Sequence, residues 1–519
     1  MTYESPEDLG LKGYPSWRPN QKEAVERITS TTSRFVALVA PTGAGKSVVY
    51  TASALLGSGR ALILTATKAL QDQLTRDFSE SVGLVDVRGR AAYPCRLTHL
   101  PADTAPCRFK VQCVFKNSPS CAYYAAVLQA KRSALVTTNY AYWMALNNFP
   151  DNPLGDFDFL VCDEAHDLPN LVSDHLTVRF AKTDRVAEEY LGDVLKQPLE
   201  VEAWRDKAGA AQTKVGDTIE RYLEMMKARS GEDHAVEWRA LSRLAILHEK
   251  LVRLSELSDT WVVDASESEV SFTPIWPTHY TESLLFAGIP KVLLSSASIC
   301  DKTVAMLGVG EVDSIEYPHT FPVENRLLVH IPTIRLNAKT NEMGYRQWVR
   351  RIDQIVRARL DRKGIIHTIS YSRMRRVYEF SEMRDFMLIH EPGELARAIE
   401  RFKQADPPLI LVSPSVSTGY DFPAEQCRYQ IIGKIPYPDT RDKVTALRIA
   451  HDKTYAAYLA MQELVQMTGR AVRAEDDWAE NFIIDDTVVW FLPMYKDFAP
   501  KWFQEAYTRR QTIPEAPIV

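Results

Sequence analysis

Phe35-Val36-Ala37-Leu38-Val39 leads directly into Ala40-Pro41-Thr42-Gly43-Ala44-Gly45-Lys46-Ser47, and residues 48–56 follow in a helix-compatible pattern. Apolar strand, glycine-rich turn and helix in that order form the frame of a phosphate-binding loop. Gly43 and Gly45 allow backbone N–H groups to turn inward, so Thr42, Gly43, Ala44 and Gly45 line the path of a polyphosphate. Lys46 reaches the β and γ phosphates, and the Ser47 hydroxyl is placed to ligate Mg²⁺. Ala40 stands where the strict pattern has a first glycine. The expected ligands are therefore ATP and Mg²⁺.

The 519 residues suffice for several domains' worth of core, and a charged fraction of 25% fits an ordinary globular chain rather than a disordered one. Residues 1–8 carry acids and no apolar run, and no stretch reaches the length of a membrane span, so the expectation is an intracellular, cytoplasmic protein with no membrane partner. A net charge of -5 argues against a surface coated with cations, so contact with nucleic acid must come from a local track. Between Asp86 and Arg132 lie eight Lys or Arg against two acids, with Arg88, Arg90 and Arg108 among them and Tyr93, Phe109, Phe115, Tyr123 and Tyr124 interleaved. Cations that track phosphates and rings that stack on bases suit single-stranded nucleic acid.

Four of the seven cysteines, Cys95, Cys107, Cys113 and Cys121, fall inside that same basic stretch. Such a cluster in a cytosolic chain is poorly explained by packing or by disulfides, and the prolines around it break the segment into loops that need something to fold around. The thiols suit either an iron-sulfur cluster or a tetrahedral zinc, although no Cys-x-x-Cys pair is present.

Other motifs take their place around the loop. Gln21, about 20 residues ahead of it, carries a donor and an acceptor able to read an adenine edge. Residues 61–64 read as a second strand ending at Thr65-Ala66-Thr67, whose hydroxyls suit a phosphodiester backbone. Asn139 and Tyr140 end a further strand in the same manner. An apolar run ending at Cys162 passes into Asp163-Glu164-Ala165-His166. There Asp163 would hold Mg²⁺ through its water shell and Glu164 would activate the attacking water. Residues 176–257 change to helical periodicity, with Val215, Ile219, Tyr222 and Met226 in one run and Leu244, Leu247, Leu251 and Leu254 in another. Residues 261–263 and 270–272 read as a strand pair returning to the main sheet, and Ser295-Ser296-Ala297-Ser298 ends another core strand. A second α/β unit follows Pro322. It carries Asp421, placed to sense the nucleotide, and Gln466, Arg470 and Arg473 toward the end of a helix, where two guanidinia one turn apart would bridge to phosphates.

In this order the motifs resemble superfamily 2 helicases of the XPD and DinG type, the DEAH-box iron-sulfur DNA helicases, over nearly the whole chain. The resemblance rests on Gln21, residues 40–47, Thr65 to Thr67, the four cysteines, Asp163 to His166, residues 295–298, residues 419–423 and residues 466–473. It implies an α/β fold of two RecA-like parallel-sheet motor domains, the first at 1–84, 130–175 and 260–318 and the second at 319–519. An iron-sulfur insert would occupy 85–129 and a helical arch 176–259. It also implies a 4Fe-4S cluster, with zinc as the alternative, and ATP-driven translocation on single-stranded DNA, typically 5′ to 3′, by a monomer acting at forks or overhangs. The short chain suits a prokaryotic or viral version. Two rivals stay open: a nucleic-acid-stimulated translocase without unwinding, and a zinc-stabilised module whose nucleotide site only switches conformation.

Overall fold

The computed structural model describes residues 3–515 apart from 58, 110–112, 149–150, 197–199, 230–233, 415, 417–419, 421, 423, 470–471 and 473–476. Ten strands occur in the first two thirds of the chain: β1 (Phe35–Val39), β2 (Ala61–Thr65), β3 (Val85–Asp86), β4 (Leu135–Asn139), β5 (Phe159–Asp163), β6 (Val178–Ala181), β7 (Trp261–Ala265), β8 (Glu269–Pro274), β9 (Lys291–Ser296) and β10 (Asp313–Glu316). Seven of them form one parallel sheet in the order β10-β1-β9-β5-β2-β4-β3. Strands β1, β2 and β5 read as apolar runs because both faces are covered. Alternation still sorts the residues: Val36, Leu38 and Ile63 face the helix Lys46–Leu56, while Ala37, Val39, Leu62 and Leu64 face the opposite core.

The expectation that residues 261–263 and 270–272 rejoin this sheet is overturned. Strands β7 and β8 pair antiparallel with each other and with β6 in a separate three-stranded sheet, in the order β6-β8-β7. The reason is legible in β8, where Val270 and Phe272 are buried and their neighbours are half-exposed, the pattern of a sheet covered on one face. Trp204 closes that face, its ring centroid 4.9 Å from that of Phe272. It anchors the long helix Val201–Ala228, which packs on Ala235–Ser255 through Val215, Leu247, Leu251 and Leu254, all buried.

A second parallel sheet combines β11 (Leu328–Ile334), β12 (Gly364–His367), β13 (Met387–Leu388), β14 (Ile410–Ser413), β15 (Tyr429–Ile432), β16 (Glu480–Asp485) and β17 (Tyr507–Arg509) in the order β13-β14-β12-β15-β16-β11-β17. Strand β15 ends at Ile432. Arg359 is fully buried here and grips Glu480 through two bonds of 2.5 and 2.6 Å, so neither charge is left unpaired.

The two lobes, each built around one of the large sheets, are joined by polar bonds between helices. Thr303 and Tyr458 share a hydroxyl bond of 2.9 Å, Lys302 is salt-bridged to Asp452, and buried Arg448 donates to Ser173 Oγ at 2.9 Å and to the Ile275 carbonyl.

Gly364 lies opposite Tyr429 across β12 and β15, and a Cβ there would sit 2.2 Å from the phenol ring. Overpacking of this kind costs about 1–3 kcal/mol, so Gly364→Ala should lower the Tm by about 3–10 °C and Tyr429→Leu in the same chain should restore part of it. Differential scanning calorimetry of the single and double variants checks this.

Candidate nucleotide site

Parallel register brings the carboxyl ends of three neighbouring strands together. Val39, the last residue of β1, lies opposite Ser296 of β9, and Ser295 lies opposite Asp163, the last residue of β5. The phosphate loop, the serine cluster and the DEAH carboxylates therefore emerge side by side, at the sheet edge where such folds bind ligands.

Gly43 and Gly45 take φ of +83° and +74°, which explains glycine at both. Gln21, expected at an adenine edge, holds the phosphate loop in this structure. Its Nε2 donates to the carbonyls of Ala44 (2.9 Å) and Gly45 (3.3 Å), and its Oε1 accepts from the Arg18 amide at 2.9 Å. Both amide protons are thereby committed to holding the loop. Arg18 adds a bond of 2.7 Å from Nη1 to the Gly43 carbonyl. Lys46 Nζ rests on the carbonyls of Ala40 and Pro41 at 3.3 and 3.4 Å, contacts weak enough to yield to a phosphate. Thr42, Gly43, Gly45, Lys46, Ser47, Asp163 and Glu164 line one cleft of about 400 Å³, within the range of small-molecule sites.

Asp163 is buried. Desolvation, then repulsion from Glu164, pushes its carboxyl up to about 7 against the pull of Lys46. A divalent cation would return the charge to it, so the residues present fit Mg²⁺ on the chemistry of their donors. Two buried tyrosines brace the same residue: Tyr140 Oη donates to its carbonyl at 2.6 Å, and the Tyr50 phenol bonds its carboxylate. Glu164 takes φ of +53°, a left-handed conformation that aims it away from the strand direction. Its carboxylate lies 3.3 Å from His166 Nδ1, which also meets Ser296 Oγ at 3.0 Å. From the second lobe, Gln466 on the helix Tyr455–Thr468 donates to Ser298 Oγ at 3.1 Å. A Cβ on Gly469 would approach Thr42 Oγ1 to 3.1 Å, so the end of that helix lies directly against the phosphate loop. Asp421, Arg470 and Arg473 lie outside the described residues.

The four cysteines line one cavity together with Arg90, Arg96, Phe115, Tyr123 and Tyr124. Among the described residues no three Cys, His, Asp or Glu side chains converge as the shell of a single ion would need. The donors lining the cavity are an all-thiol set, which suits either an iron-sulfur cluster or a zinc. Arg90 is stacked 4.4 Å over the Tyr123 ring and points Nη1 to Cys107 Sγ at 3.5 Å. Burial acts against its charge, yet the phenols of Tyr123 and Tyr124 and the Cys107 thiol hold its pKa above the ordinary value.

Several expected nucleic-acid contacts have other duties. Thr65 is buried with its hydroxyl on the Thr67 carbonyl, and Tyr140 is buried under Asp163, so neither meets a strand. Thr67 and Asn139 cap helices, accepting from the amides of Leu70 (3.3 Å) and Tyr142 (2.9 Å). Tyr93 Oη accepts from the Arg88 amide at 3.0 Å. Arg88 is held by Asp72 and Asp86, and Arg108 by Glu249 at 2.8 Å. Asp72 and Glu249 come from outside the 86–132 window, so the local charge count overstated the free cations. Reading by motif also missed Tyr50 and Arg18; the signal for Tyr50 is its place on the loop's helix four residues, about one turn, past Lys46.

Known proteins match this chain in two blocks. Residues 18–186 match the DEAD/DEAH box helicase family and residues 354–506 the helicase C-terminal domain. The chain is 21% identical to the ATP-dependent DNA helicase YoaA of Escherichia coli (strain K12), across 93% of this chain and 94% of that one. Among solved structures it is similar to an XPD helicase (TM-score 0.61, 13% identity, 95% and 98% of the two chains). It is also similar to Xpd4 of S. tokodaii (TM-score 0.60, 14% identity, 95% and 100%). The fold is thus the expected pair of RecA-like α/β domains.

Asp163→Asn should remove the burial cost of the carboxylate. The folded carboxyl titrates above its ordinary range, so its charge weighs on the fold most at high pH and progressively less as pH falls through about 7. Without Mg²⁺, the variant should melt higher than the wild type at pH 8 and lose that advantage toward pH 5, while ATP turnover drops about 100-fold or more. Thermal melts at both pH values and a phosphate-release assay check the two halves.

Proposed function

The chain belongs to the XPD/DinG type of superfamily 2 DEAD/DEAH-box helicases and is an ATP-dependent DNA helicase, and on that premise we propose that it moves 5′ to 3′ on single-stranded DNA and unwinds the duplexes it meets. The observation that carries the proposal is the shared cleft. Lys46, Ser47, Asp163 and Glu164 line it from one sheet, and the helix bearing Gln466 touches its rim from the other. Hydrolysis then has a direct route to changing how the lobes sit.

Each group has a defined task. The loop amides and Lys46 bind the β and γ phosphates; Ser47 and Asp163 would hold Mg²⁺, which would offset charge on the transferring phosphoryl group. Glu164 takes the proton from the attacking water, its carboxylate oriented by His166. Gln466, with Arg470 and Arg473, acts on the phosphates from the second lobe. We assign residues 85–129 to an insert held by a 4Fe-4S cluster on Cys95, Cys107, Cys113 and Cys121, and 176–259 to a helical arch above it. The cluster supplies a rigid staple for loops that have little core of their own. Phe109, stacked 6.0 Å from Trp238 of the arch, supports one continuous surface across both segments. Strand contacts would fall to the exposed rim of that surface, since Arg88 and Arg108 are already paired.

Strand displacement on substrates with a single 5′ or 3′ overhang tests this. Wild type should separate the 5′-tailed duplex, and Lys46→Ala and Glu164→Gln should each fall about 100-fold or more in ATP turnover. ATP hydrolysis stimulated by DNA with no strand separation would replace unwinding by translocation alone. Anaerobically purified protein should absorb visible light and contain about four irons, and a colourless protein with one zinc would remove the cluster.

A further inference from the structure

Three consecutive residues, starting with the last residue of β9, are claimed by three separate parts of the chain. Ser296 Oγ meets His166 beyond β5, Ser298 Oγ accepts from Gln466 of the second lobe, and the carbonyl of Ala297 between them accepts from the indole Nε1 of Trp502 at 3.2 Å. The carbonyl of Ser296 also accepts from the Ala40 amide at the mouth of the phosphate loop, at 3.1 Å. Trp502 belongs to the short helix Lys501–Ala506, which no motif of the site includes.

That helix is gripped from both sheets. Its first amide, Lys501 N, donates to Glu316 of β10 at 2.7 Å, while the chain beyond it becomes β17 and pairs with β11. The Trp502 carbonyl accepts from Arg326 Nη1 at 2.6 Å, and its ring lies 5.6 Å from that of His319. Ala297, from the first lobe, is packed in a core otherwise built from the second, against Leu328, Leu464 and Phe491. Trp502, His319 and Arg326 share the walls of one cavity with Thr42 and Gly469, so the indole stands behind the contact between the lobes. A change in the angle between the sheets must pull on this helix, and the indole bond hands that pull to the Ala297 carbonyl.

We propose that Trp502 is a positioning residue for ATP hydrolysis, holding Ser296-Ala297-Ser298 so that His166 and Gln466 stay aligned across the closed cleft. The proposal rests on the reading of the cleft as an ATP hydrolase site shared by both lobes. It uses a segment near the end of the chain as part of the motor rather than as trim on the second sheet. The ring fills a core position and the N–H makes the contact, so Trp502→Phe separates the two roles.

A double-variant cycle read by ATP turnover tests it. Trp502→Phe should lower kcat about five-fold with the KM for ATP unchanged within about two-fold, since the interaction acts on alignment and not on binding. Ser298→Ala should also lower kcat. In its background Trp502→Phe should change kcat by less than about two-fold, because both act through one loop. Independent, multiplicative effects would overturn the proposal, as would a wild-type kcat for Trp502→Phe. Should phenylalanine destabilise the fold, Glu316→Ala removes the acceptor that ties the same helix to the first sheet. It should lower kcat in the same direction, and an unchanged kcat would again overturn the proposal. Turnover is the readout, so a wild type that hydrolyses ATP without separating strands counts against unwinding and leaves this test intact.

Discussion

Parallel pairing of β1, β9 and β5 is the constraint on which the rest depends. Register places Val39 beside Ser296 and Ser295 beside Asp163, so loops distant in sequence emerge at one edge within reach of a single triphosphate. A slip of one residue would turn every side chain of a strand to the other face. Because each of the three strands is buried on both faces, such a slip would also break two cores at once. The site inherits its precision from that packing.

The electrostatics of the cleft follow from the same burial. Asp163 ends a strand inside the protein, where its charge is disfavoured until cations compensate it. Lys46 supplies part of that compensation. The remainder is what a divalent cation brings with the nucleotide, so the site is built to be completed by its ligand. Tyr50 and Tyr140 hold the carboxylate and its backbone in place meanwhile, which spares the reaction the cost of reorienting them.

The insert illustrates how tertiary partners rewrite a local charge. Arg88, Arg90 and Arg108 read as free cations on a nucleic-acid track, yet Asp72 and Glu249 neutralise two of them and the third is folded over the thiol cavity. Arg90 is turned onto the Tyr123 ring and the Cys107 thiol. The positive charge this stretch leaves to a strand is correspondingly smaller.

Much of this was legible in one dimension. The phosphate loop needs glycines at particular places because of backbone geometry, the strands announce themselves as apolar runs of five, and Asp163-Glu164 follows such a run. Helical periodicity marked the excursion between residues 176 and 257. What folding alone decided is pairing. The assignment of β7 and β8 to their own sheet, the capture of both Gln21 amide protons by the phosphate loop, and the burial of Thr65 and Tyr140 each depend on a neighbour far away in the chain. Trp502 is the extreme case, since nothing near residue 502 names Ala297 as its acceptor. Local sequence dictates which backbone shapes are affordable and which faces are apolar; hydrogen-bond partners across hundreds of residues are set by how the two sheets stack and meet.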